Sequence, residues 1–139
     1  MKVNMLSAVS NRGKLCFILY KSSMNADILI DFMRRLVRDT KRKVFLILDN
    51  LRTHHCKKVK ARLEKHRKQI EVFYLPPYVP EYNPDELLNS DLNRGISKRP
   101  SPRTESELEH NTRSHLKSVQ LRPYKIIGFF ASLTTRYAT

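Results

Sequence analysis

The chain has 139 residues, 40% of them hydrophobic, and sets 27 Lys and Arg against 13 Asp and Glu for a net charge of +14. That length suits one domain, residues 1–139, with a single core. Its apolar runs fall well short of the roughly 20 residues that cross a bilayer, and Met1-Lys-Val-Asn4 opens no charged-then-apolar leader, so export and membrane insertion are not expected. The charge excess favours a polyanion, chiefly nucleic acid; the bland alternative is a solvated basic surface without a particular ligand. Cys16 and Cys56 lack CxxC spacing and are expected to stay reduced.

In chain order, Val3–Val9 and Leu15–Tyr20 are β-favouring runs joined by Ser10-Asn-Arg-Gly13, which predicts a hairpin. Residues 25–39 place Ile28, Leu29, Phe32, Met33, Leu36 and Val37 on one helical face, with Asn25 as cap. Lys43–Leu48 is a continuous apolar run, read as a strand buried on both faces. Cys56–Lys68 predicts a helix with Val59 and Leu63 inward and its cations outward, and Ile70–Leu75 the next strand.

Pro76-Pro77 ends that strand. Asn83-Pro-Asp-Glu86 starts a helix that Gly95 is expected to stop near Arg94. Thr104-x-x-Glu107 is a capping box opening a further helix to about Gln120. From Pro123 onward, Ile126, Ile127, Phe129 and Phe130 suggest a short docking helix. The basic residues fall in blocks at 34–43, 57–68 and 93–103.

Two carboxylates stand out. Asp49 ends the apolar run Val44-Phe-Leu-Ile-Leu48, where open α/β sheets place ligands. Glu86 follows the rigid stretch Leu75-Pro-Pro-Tyr-Val-Pro-Glu-Tyr-Asn-Pro-Asp85 at a helix start. Hard oxygens brought from the ends of separate elements suit Mg²⁺ or Mn²⁺. Other readings stay open: Asp49-Asn50 as turn residues, Glu86 as a helix cap, and Asp85 as the acid in its place, about 100° around the helix. His54-His55-Cys56 is a poor zinc set, since adjacent side chains diverge and no second pair at metal spacing follows. His66, His110 and His115 sit among charged residues and read as surface.

Asp49-Asn50, His54-His55 and Leu75-Pro-Pro-Tyr-x-Pro-x-x-Asn-Pro-x-Glu86 together resemble the DDE endonuclease domain of bacterial insertion-sequence transposases in the mariner superfamily, over about residues 2–124. The resemblance implies a ribonuclease-H-like α/β fold and metal-dependent DNA cleavage and strand transfer in the bacterial cytoplasm. Asp49 corresponds to the second catalytic acid and Glu86 to the third, holding two Mg²⁺ or Mn²⁺ ions. Asn50, His54, His55, Asn93, Arg94, Lys98 and Arg99 are the expected DNA-facing residues.

The family's first strand, with its Asp, precedes the hairpin. Here the first Asp is Asp27, so a core lacking that strand, with impaired or absent activity, is expected. Asn93 stands where lysine is common, and Tyr82 where leucine is usual. The alternatives are a non-catalytic DNA-binding remnant and a subunit completed by homodimerisation.

Overall fold

A computed structural model describes residues 3–48, 55–75 and 83–131. The chain divides into two compact units, one formed by Met1–Ser22 with Pro84–Thr139 and the other by Ser23–Asn83.

In the first unit, β1 (Asn4–Val9) and β2 (Leu15–Tyr20) form the expected antiparallel hairpin, in register from Asn4 opposite Tyr20 to Val9 opposite Leu15. The turn closes through Ser10, whose carbonyl accepts from Gly13 N–H at 3.1 Å and whose hydroxyl accepts from Lys14 N–H at 3.1 Å. Gly13 has φ +85°, and a β-carbon there would lie 2.7 Å from the Pro123 side chain. Glycine therefore serves both the turn and the approach of the C-terminal segment.

Among the described residues this unit also holds α3 (Asp85–Ser97), α4 (Glu105–Gln120) and α5 (Pro123–Gly128). Leu88 and Leu92 of α3, Leu116 and Val119 of α4, and Ile126 with Phe129 and Phe130 close on Leu15 of β2 as one core. Burying each such side chain contributes about 1.5–3 kcal/mol. Gln120 donates to the Leu15 carbonyl at 2.9 Å, tying the end of α4 to the hairpin. The α4 cap is close to the expected box: Thr104 Oγ1 accepts from Glu107 N–H at 3.1 Å, while Glu107 Oε2 accepts from Arg103 N–H at 2.6 Å, one residue further back than the usual return bond.

α3 starts where expected and departs from expectation at its C-terminal end. It begins at Asp85, with Pro84 already at φ −55°, and it runs through Gly95 to Ser97. Gly95 does not terminate the helix. It makes room: a β-carbon at that position would sit 2.2 Å from Cε1 of His115 on α4.

In the second unit, α1 (Ala26–Asp39) has Asn25 accepting from Ile28 N–H at 3.0 Å, and it buries Leu29, Phe32 and Met33. β3 (Val44–Leu48) and β4 (Ile70–Tyr74) are parallel, in register from Val44 with Ile70 to Leu48 with Tyr74. α2 (Lys57–Lys65) makes the connection between them, packs on α1 and β4, and buries Val59. The expectation that β3 is covered on both faces is not met. Leu46 and Leu48 are buried, whereas Phe45 is 62% exposed and pairs with the half-exposed Phe73 of β4, ring centroids 6.3 Å apart. Alternation along the strand turns Phe45 to the face opposite Leu46 and Leu48, where it stays largely exposed.

The described strands thus form two separate two-stranded sheets. Neither Cys16 nor Cys56 is in a disulfide. No helix among the described residues is long and apolar enough to cross a membrane.

Candidate functional site

The sequence candidates divide between the two units. Glu86, Asn93, Arg94, Lys98 and Arg99 belong to α3 and the turn after it, and His55 lies at the entry to α2. Asp49, Asn50 and His54 lie outside the described residues.

Glu86 is the second residue of α3 and is half-buried. A carboxylate in a first helical turn is favoured by the helix dipole. Its neighbour Asp85 has a partner of its own: Ser7 of β1 donates to Asp85 Oδ1 at 2.6 Å. That bond fastens the start of α3 to the hairpin and directs Asp85 toward β1. Seven residues on from Glu86, Asn93 is exposed, and its carbonyl accepts from Ser97 Oγ at 2.8 Å.

The three basic candidates are not equivalent. Lys98 is exposed at the end of α3. Arg94 is exposed, with its guanidinium 3.8 Å from Asp91. Arg99 is half-buried and donates to Asn111 Oδ1 at 3.4 Å and Ser114 Oγ at 3.3 Å, so its guanidinium also braces α3 against α4. In the other unit the His55 ring stacks on Tyr74, centroids 4.0 Å apart. Burial, with the nearby Cys56, pushes the Tyr74 hydroxyl pKa up.

A further cluster has no counterpart in the sequence reading. Asp91, only 7% exposed, accepts from His115 Nε2 at 2.8 Å and from Lys125 Nζ at 2.7 Å. Burial alone would raise the Asp91 pKa; the bonds and charges of Lys125 and His115 outweigh it, and the net shift is downward. One carboxylate thereby joins α3, α4 and α5. His115 belongs to this packing and is not the solvated surface residue expected. His66 also is half-buried, its Nδ1 3.0 Å from Gln69 Oε1. The signal for Asp91 was an acid on the apolar face of α3, between Leu88 and Leu92, but its partners lie 24 and 34 residues away in sequence.

Residues 1–109 match the DDE superfamily endonuclease family. The chain belongs to that family. No curated protein matches it in sequence. Among solved structures, the DDE domain is similar to the catalytic domain of Mos1 mariner transposase, with TM-score 0.55 and 16% identity over 91% of this chain and 79% of that one. A second structure of that catalytic domain, with raltegravir and Mg, gives TM-score 0.55 and 17% identity over 91% and 80%. A chain of the simian T-cell lymphotropic virus intasome, in complex with a PP2A regulatory subunit, gives TM-score 0.55 and 13% identity over 79% of this chain and 41% of its own length. The fold expected from the sequence is therefore the one present, a ribonuclease-H-like α/β arrangement of the transposase and intasome catalytic type.

For a divalent metal, Glu86 supplies the right donor chemistry, a hard carboxylate oxygen at a partly open helix start. Among the described residues no group of three or more His, Cys, Asp or Glu converges on one point.

Proposed function

We propose that residues 1–139 form one catalytic-core domain of a bacterial insertion-sequence transposase, acting on DNA in the cytoplasm by metal-dependent cleavage and strand transfer. The observation that carries this reading is the family match over residues 1–109, a span that includes both Asp49 and Glu86.

Asp49 and Glu86 would hold Mg²⁺ or Mn²⁺, which when bound supplies Lewis-acid activation of the attacking oxygen and stabilisation of the leaving one. The chain's own part is to present the two carboxylates and to hold the phosphate backbone. Asn50, His54, His55, Asn93, Arg94 and Lys98 are the proposed DNA-facing residues, and Arg99 contributes there only with what its bracing role leaves available.

A second reading is a subunit completed by another copy. What favours it is that the described strands pair only in twos, and unpaired strand edges are templates for pairing with another chain.

The deciding experiment is Mn²⁺ titration by calorimetry on the wild type and on Asp49→Asn/Glu86→Gln. Binding lost in the double variant supports the metal site. Wild-type protein that binds no Mn²⁺ in the millimolar range overturns it and leaves a basic DNA-binding protein.

A further inference from the structure

Away from the acids, the second unit carries an open groove of about 810 Å³ between α2 and β4. Its floor is apolar, formed by Leu63, Ile70, Val72 and Tyr74, and its rim is charged. Both rim acids are already paired: Glu71 with Lys43 at 3.1 Å, and Glu64 with Arg67 at 3.3 Å. Lys60 and Lys68 also line the groove, are exposed, and form no ion pair among the described residues.

The topology sets where these cations lie. β3 and β4 are parallel, so α2 must run back between them. Lys60 therefore lies toward the Tyr74 end of the groove and Lys68 toward the Ile70 end. The five residues of β4 make the groove about 15 Å long. Charges spread along such a length do not converge on a small phosphate. They match a linear polyanion with repeating charge and apolar sugar edges between the charges.

We infer that this groove is a binding track for a nucleic-acid sugar–phosphate strand, with Lys60 and Lys68 as its phosphate contacts and Leu63, Val72 and Tyr74 as its floor. The inference rests on the proposal that DNA is the partner, and it names a surface for it distinct from the acids. At the Tyr74 end, Tyr74 is in register with Leu48, the residue immediately before Asp49 in sequence. A strand lying in the groove would leave it at the end of the sheet from which Asp49 continues.

The test is fluorescence anisotropy with a short labelled DNA duplex across a salt series, comparing wild type, Lys60→Ala/Lys68→Ala and the charge-matched control Lys14→Ala/Lys117→Ala. All four lysines are exposed, and thermal melts of each variant verify folding. Two lost phosphate contacts should lower the salt slope by about 1.8 and weaken binding about 60-fold near 0.1 M salt, with the control close to wild type. An equal loss in the control overturns the track in favour of diffuse attraction. An unchanged groove variant overturns it outright. A poly-glutamate peptide that binds as well as the duplex and is lost in the same variant overturns it in favour of an acidic protein partner. Mn²⁺ titration of the groove variant separates the two proposals: DNA binding lost with Mn²⁺ binding intact supports the track, whereas wild type that binds DNA through the groove but no Mn²⁺ overturns only the metal site.

Discussion

Gly95 of α3 and His115 of α4 approach so closely that a β-carbon on Gly95 would lie 2.2 Å from the imidazole Cε1. The ring enters the space a side chain would fill, and from there its Nε2 reaches Asp91 at 2.8 Å. The missing side chain in one helix is what lets the other helix reach Asp91 with this hydrogen bond. Gly95→Ala should gain up to about 1 kcal/mol in helix propensity but force the ring out at an overpacking cost of about 1–3 kcal/mol. The expected net result is destabilisation, read as a lower urea midpoint with unchanged slope.

Asp91 should make the stability of the first unit acid-sensitive. Its folded pKa lies below the ordinary carboxylate value, so its contribution is present above the unfolded value near 4 and is lost as pH falls through the folded one. Asp91→Asn should flatten that part of the pH profile. At neutral pH, Asp91→Ala should cost about 2–3 kcal/mol, less than the about 3–5 kcal/mol for breaking a fully buried pair, since Lys125 keeps 31% of its side-chain exposure. Melting temperature against pH for the three proteins checks both statements.

Thr104→Ala removes the acceptor for Glu107 N–H and should cost about 1 kcal/mol. Thr104→Ser retains the acceptor and should stay close to wild type in the same denaturation experiment.

The two faces of the second unit should respond differently to truncation. Phe32 is 1% exposed, and Phe32→Ala should cost about 3–5 kcal/mol. Phe45 is 62% exposed, and Phe45→Ala should cost less than about 1 kcal/mol, chiefly the lost cross-strand contact with Phe73. Equal costs in chemical denaturation would mean that the Phe45 face is covered in solution.

The sequence alone determined what depends on neighbours within a few residues. Apolar spacing located α1 and α2, the Thr104–Glu107 capping box located α4, and the Gly-containing turn located the β1–β2 hairpin. Asn25 and Thr104 announced their caps because a cap bonds to a backbone group three residues on. The rigid proline stretch before α3 singled out Glu86 and, with Asp49, the family. Tertiary structure decided the rest. Whether Phe45 is covered depends on what packs above it, and an apolar run carries no record of that. Gly95 reads locally as a helix stop and becomes a packing notch only when α4 brings His115 against it. Asp91 has a depressed pKa and a bridging role only because folding removes it from water and places Lys125 and His115 at its oxygens. Local propensity is written in short-range spacing, whereas burial and charge pairing arise between residues distant in sequence and exist only once the chain has closed.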